Sequence, residues 1–423
     1  MQLTMTNTNP TFRELVAVFA KVGVMSFGGP AGQIALMHKM IVDEKKWLDE
    51  PRYLNALNFC MLLPGPEAMQ LATYIGWLTH GIKGGIATGL LFVMPGALVL
   101  IGLSALYFFA GDVPLVAGLL FGLKAAVVAL VLEALLRVSK RALKSKIHVA
   151  LAVAAFVAIA IFSLPFPLVV LAAAIFGFFL FKGQAVETTV QNRVSFKALL
   201  ATVTFGLAIW FAPLVLLYNI GGAKVFIDLA MFFSKAAVVT FGGAYAVLSY
   251  VGDVAVTQYQ WLEPREMITG LGLAETTPGP LILVLLFVGF LAGARQAMID
   301  PLLGGAIGAL VTLWFTFVPS FVMIFAGAPF VERIGSMPRL AGALQGVTSS
   351  VVGVIASLGL WFAVTLFFPK GITPLPDMLG YVDIAAIIIA LASGLALLRY
   401  HIGFGWVLGA AAFVGAALKL GGF

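Results

Sequence analysis

Long apolar runs alternate with short polar breaks along almost the whole chain. A helix that crosses a bilayer needs about 20 apolar residues. Such runs fall near 12–37, 53–82, 85–110, 114–136, 147–163 and 165–181. One more lies near 197–217, and six follow near 225–250, 264–295, 302–326, 338–366, 378–398 and 401–420. The pattern predicts an all-α integral membrane protein with about 13 transmembrane helices, arranged six, one and six. Composition agrees, since 61% of the residues are hydrophobic and 10% are charged, whereas a soluble domain carries about a quarter charged residues.

The residues that interrupt the apolar runs recur at a fixed offset. Lys21, Ser26-Phe27-Gly28-Gly29, Trp47-Leu48 and Pro64-Gly65-Pro66 return 214 positions later. They return as Lys235, Thr240-Phe241-Gly242-Gly243, Trp261-Leu262 and Pro278-Gly279-Pro280. Pro95 and Pro319, Pro114 and Pro338, and Gly118-xxx-Gly122 and Gly342-xxx-Gly346 pair at 224. An insertion of ten residues therefore lies between Pro280 and Pro319, around Arg295–Pro301. The chain divides into an N-terminal transporter repeat over 1–182, a linker with an extra transmembrane helix over 183–224, and a C-terminal repeat over 225–423. Six spans are even, so the extra span turns the second repeat over and makes the two homologous repeats inverted.

Charge sets the orientation. Arg137, Lys140, Arg141, Lys144 and Lys146 form the densest basic loop. Placing it in the cytoplasm brings Lys182–Lys197, Arg333–Arg339 and Arg399 with it, and leaves Arg295 and Lys370 outside. The expectation is a multi-pass protein of the cell inner membrane, its first helix an uncleaved insertion signal. The net charge of +7 is modest and no aromatic-interleaved basic stripe is present, so nucleic acid is not an expected partner. The mixed-charge stretch Lys39–Arg52 reads as a solvated surface, with Trp47 and Trp261 as interfacial anchors. Cys60 is the lone cysteine and the four histidines are scattered, so neither a metal site nor a cofactor is expected, nor an enzyme. His38 and Asp43 have the spacing of some acyltransferases, but Gly252 and Thr257 hold the matching places in the second half.

The breaks carry the candidate chemistry. Pro-Gly-Pro cannot continue a helix, so 53–82 and 264–295 are predicted to split into half-helices. A half-helix that restarts in the membrane offers unpaired N–H groups and a positive dipole end to an anion. A single such motif would read as a proline kink; two at matched places favour a site. The candidate anion-binding set is Lys21, Ser26, Gly28, Gly29, Gly65, Glu67, Gln70 and Lys124 from the first half. Lys235, Thr240, Gly242, Gly243, Thr277 and Gly279 complete it from the second. Lys21 and Lys235 would supply charge, or else snorkel to the interface. Ser26 and Thr240 would offer hydroxyls to a ligand, or else bond back to their own helices. Glu67, Glu275 and Glu133 are the proton-coupling candidates, because a buried carboxylate can hold a proton. Glu133 is also a candidate partner for Lys124 in the same span.

With Phe-Gly-Gly-Pro at 27–30, Trp47-Leu48, Pro64-Gly65-Pro66-Glu67, Gln70 and the second set at 241–243, 261–262 and 278–280, the chain resembles the chromate ion transporter (CHR) family in its long, two-domain form. The halves are not equivalent, since Ala244 replaces Pro30 and Leu281 replaces Glu67. The resemblance implies secondary active export of chromate, and of the similar dianion sulfate, driven by a proton gradient or the membrane potential. An anion channel or an exporter of another oxyanion or organic anion is the alternative. The glycine pairs at 118/122 and 342/346 suit either a homodimer or the internal bundle of a monomer, the bundle being the reading adopted.

Overall fold

The computed structural model describes residues 10–181, 196–219, 222–239, 241, 244–330, 338–369 and 382–422. All regular structure among them is helical. Five described helices are long and apolar enough to cross a bilayer: Glu67–Ala110, Pro114–Ala142, Lys197–Asn219, Pro301–Gly327 and Pro338–Phe367. The protein is a multi-pass, all-α membrane protein.

Helix α1 (Phe12–Met25) starts at a capping box in which Thr11 and Glu14 bond each other's backbone. A short break at Ser26–Gly28 separates it from α2 (Gly29–His38), which runs on as a π-helical turn over Lys39–Glu44. Asp49 caps α3 (Glu50–Leu62), and Pro64-Gly65-Pro66 separates α3 from α4 (Glu67–Ala110). The second half begins with the same series: α9 (Lys224–Val239), α10 (Ala244–Asp253) with a π-helical turn over Val254–Gln258, then α11 (Pro264–Glu275). After the break at Pro278-Gly279-Pro280 the chain restarts as a 3₁₀ turn at Leu281–Leu283 and α12 (Val284–Gln296). The long helices are α5 (Pro114–Ala142), α8 (Phe196–Asn219), α13 (Pro301–Gly327) and α14 (Pro338–Phe367). Two pairs of 15- to 17-residue helices complete the fold: α6 (Lys146–Ala160) with α7 (Phe166–Leu180), and α15 (Ile384–Leu398) with α16 (Phe404–Leu420).

Each of the four segments read as spans, 12–37, 53–82, 225–250 and 264–295, is a pair of short helices; the split was expected for 53–82 and 264–295 and is found in the other two as well. Helices α11 and α12 close on themselves at their outer ends, where both guanidinium nitrogens of Arg295 donate to Glu266, at 2.8 and 2.7 Å. Phe232 of α9 packs against Tyr250, Tyr259 and Trp261 beyond the α10 turn. Phe12 at the start of α1 meets His80 edge-on at 5.6 Å, and the Lys45 charge acts on Glu14. Phe59 and Tyr74 bridge α3 and the first arm of α4. Length alone does not set these pairs apart, since α6, α7 and α15 also have 15 residues each; the contacts between the outer ends of each pair do. Apolar composition cannot separate half-depth from full depth, which is why the sequence reads these pairs as spans.

Helix α4 itself doubles back at His80 and Gly81, where the backbone leaves helical geometry. Its arms, 67–79 and 82–110, lie antiparallel, with Thr88 Oγ1 donating to the Ala72 carbonyl at 2.7 Å. The long arm runs antiparallel to α13: Gly85 faces Phe325 and Gly89 faces Phe321. The bend at 80–81 thus sits beside the end of α13, while the α12–α13 turn sits beside Tyr107 at the end of α4, whose hydroxyl donates to Glu266 at 2.8 Å.

Each half covers the long helix of the other. Methyl groups on Gly118 and Gly122 of α5 would strike the α16 backbone, at 2.7 Å from Ala416 Cα and 1.8 Å from the Ala411 carbonyl. Gly342 and Gly346 of α14 meet the Phe181 and Ala173 carbonyls of the α7 segment in the same way. Both glycine pairs therefore serve the internal bundle. Trp47 and Trp261 are buried, not interfacial, and Trp261 stacks on Tyr259 at 4.3 Å within the core. Their apolar rings fill the space between a short hairpin and its neighbours, which outweighs any gain from the interface.

Candidate functional site

The tips of the short hairpins meet at the centre of the bundle. Prolines 64, 66, 278 and 280 remove the N–H groups that would continue each helix. Gly65 and Gly279 then take φ of 122° and 97°, a region that only glycine enters without strain. The released groups bond across the halves. The Gly279 N–H donates to the Ser26 carbonyl at 2.8 Å. Gln33 Nε2 donates to the Gly279 carbonyl at 2.6 Å and to the Ser26 carbonyl at 3.4 Å. Gln70 Nε2 closes the other break by donating to the Pro64 carbonyl at 2.7 Å. The long helices complete the cross-pairing: Gly96 of α4 lies against the Pro278 carbonyl, and Ser320 of α13 lies against Gly65.

Two cavities adjoin these tips and share Pro30. The inner one, walled by Gln33, Gly65–Ala68 and Pro280–Ile282, holds about 10 Å³, room for roughly one water. The half-helix starts at Glu67 and Leu281 both border it. The outer one holds about 250 Å³ and is lined by Gly28–Pro30, Glu133, Arg137, Tyr245, Glu275 and His401 among others. Its charges are paired. Arg137 donates to both Glu133 oxygens, through Nε at 3.0 Å and through Nη2. Tyr245 donates its hydroxyl to Glu275 at 2.6 Å. Both pairs line the same cavity. Polar side chains at this depth are stable only against such partners or water.

The other expected residues divide. Gly28 and Gly29 border the outer cavity, Gly65 and Glu67 border the inner one, and Gln70 and Gly279 lie at the breaks. Lys21 and Lys235 do not join them. Both are exposed on the outer faces of α1 and α9 and line neither cavity. The Ser26 hydroxyl donates to its own helix at Val22, 2.6 Å, and the Thr277 hydroxyl likewise to Ala274, 2.8 Å. At Ser26 the carbonyl, not the hydroxyl, reaches the break. Lys124 sits nine residues before Glu133 on α5, about 14 Å along the axis. It lines neither cavity, and Glu133 is taken by Arg137. Thr240, Gly242 and Gly243 lie outside the described residues.

Sequence reading missed Gln33, Arg137, Tyr245, His401 and Ser320. Gln33 and Tyr245 have apolar repeat partners, Val247 and Ala31, so duplication gave no signal. A glutamine three residues after Pro30 in an apolar stretch was the available clue.

The family described as Chromate transporter matches residues 13–178 and 227–416. The chain is 32% identical over 356 residues to the chromate transport protein of Pseudomonas aeruginosa, an alignment covering 82% of this chain and 80% of that one. It is 25% identical over 393 residues to the chromate transport protein of Cupriavidus metallidurans, covering 90% of each. An uncharacterised transporter of Methanocaldococcus jannaschii is 27% identical over 362 residues, 84% of this chain and 85% of that one. No solved structure matches the chain.

Proposed function

Because the chain belongs to the chromate transporter family in its long form, we propose that it is a secondary transporter exporting chromate, and sulfate in competition, from the cytoplasm across the inner membrane. Family membership supports the chromate role. The observation that supports the mechanism is the pair of cavities at the crossed breaks, which meet at Pro30. Helix starts at Gly29, Glu67 and Leu281 border this pair of cavities, and helix N-termini favour anions. A tetrahedral dianion does not fit the inner cavity as it stands, so in the proposed alternating-access cycle the site opens to admit it.

The proposed topology is two inverted repeats, 1–182 and 225–423, joined by the linker span α8. Each repeat has two re-entrant hairpins and four crossings: the long arm of α4, α5, α6 and α7, then α13, α14, α15 and α16. The antiparallel α4 and α13 support the inversion. With the basic loop after α5 in the cytoplasm, the first two hairpins enter from the cytoplasm and the last two from the other face. Glu275, beside the route, is the carboxylate that couples a proton gradient to export; Glu67 borders the inner cavity.

Uptake of labelled chromate and sulfate into everted membrane vesicles, with and without a proton gradient, tests the reading. The expected result is saturable chromate uptake that sulfate inhibits and that collapses with the gradient. Currents far above carrier turnover would replace the carrier with a channel.

A further inference from the structure

We propose that Arg137 is the residue that first binds the oxyanion on the basic-loop side, and that the Glu133 carboxylate occupies its guanidinium until the oxyanion displaces it. The inference rests on the oxyanion reading above and adds to it the loading residue and its resident competitor.

Arg137 stands at the outer cavity with Gly28–Pro30, the first turn of α2, on the facing wall. A planar guanidinium grips two oxygens of a carboxylate and two oxygens of a tetrahedral oxyanion with the same fork. Glu133 uses that fork now, through both of its oxygens. The pair is one helical turn apart on α5, with Arg137 41% and Glu133 25% exposed. A half-exposed pair of this kind is weak, so a doubly charged competitor can open it. Tyr245, Glu275 and His401 face the same space from α10, α11 and the α15–α16 turn. With two carboxylates already present, an arriving dianion needs a guanidinium freed from one of them.

The scaffold does not need this pair as a staple. The α14 positions matching Glu133 and Arg137, 224 residues on, are Ser357 and Trp361. They line a cavity of about 560 Å³ beside Ser163. Ser163 holds the place in the α6–α7 turn that His401 holds in the α15–α16 turn, since α15 and α16 start 238 positions after α6 and α7, and the two residues have positive φ, 50° and 51°. The same corner of the fold is thus built without an ion pair, which leaves the Glu133–Arg137 pair free for a task of its own.

The test measures initial chromate uptake against concentration in everted vesicles of the full chain, with protein level and melting temperature as controls. Glu133→Gln is expected to lower KM by about twofold, because it removes the competitor. Arg137→Ala is expected to raise KM by about tenfold or more, and Arg137→Lys to fall between. Adding Glu133→Gln to Arg137→Ala brings no recovery. An Arg137→Ala protein that keeps the wild-type KM overturns the inference, as does Glu133→Gln raising KM like Arg137→Ala. Should Arg137→Ala fail to accumulate, Glu133→Gln and Arg137→Lys decide the matter alone. Wild-type vesicles that take up neither chromate nor sulfate overturn the proposed function and this inference together, whereas wild-type uptake with unmoved variants overturns the inference alone.

Discussion

The Gly279 N–H donates to the Ser26 carbonyl at 2.8 Å, so a break in the second half is closed by a break in the first, 253 residues earlier. Gln33 holds the same joint by donating to the Gly279 carbonyl. Gly279→Ala forces a side chain into φ 97°, at a cost of about 1–3 kcal/mol. Gln33→Ala leaves the Gly279 carbonyl without this donor, at about 1–2 kcal/mol. Both variants are expected to melt earlier in detergent and to transport chromate poorly. Wild-type melting and uptake in both would remove the joint from the mechanism.

At the opposite edge, Glu266 is 8% exposed and accepts from both Arg295 nitrogens and from Tyr107. Arg295 is 37% exposed, so water takes over part of its charge when Glu266 is neutralised. Glu266→Gln is expected to lower stability by about 1–2 kcal/mol, read as early thermal aggregation of the purified protein. Tyr107→Phe, which leaves the ion pair intact, should cost about 1 kcal/mol.

The inverted arrangement makes a sidedness prediction. Glu44 and Gln258 are 214 positions apart, exposed, and end equivalent π-helical turns. In a Cys60→Ala chain, Glu44→Cys is expected to react with an impermeant thiol reagent only from the cytoplasmic face, and Gln258→Cys only from the other. Labelling of both from one face would refute inversion.

Lys21 and Lys235 are exposed and line neither cavity. Charge on an outer face that is free to snorkel contributes little to a site in the bundle centre. Lys21→Ala and Lys235→Ala are each expected to keep chromate uptake within about twofold of wild type. A severe loss in either, at normal protein levels, would return the lysines to the site.

The helix breaks were legible because proline and glycine act locally: a missing N–H stops a helix whatever surrounds it. Their partners were not, because Gln33, Ser320 and Tyr245 act through contacts between distant segments and their repeat positions hold other residue types, Val247, Gly96 and Ala31. Arg137 was visible as charge but reads as the first member of a cytoplasmic basic loop; only the fold turns it toward Glu133 and the cavity. The lysines show the opposite case. Their recurrence is real, yet recurrence fixes a position on a helix, not the face that position presents. Depth was illegible for a similar reason, since half-length and full-length membrane helices are equally apolar.

The glycine contacts of α5 with α16, and of α14 with α7, carry a consequence for biosynthesis. Gly118 and Gly122 find their cover in α16, almost three hundred positions further along. Helix α5 therefore completes its packing only once α16 has been synthesised and inserted.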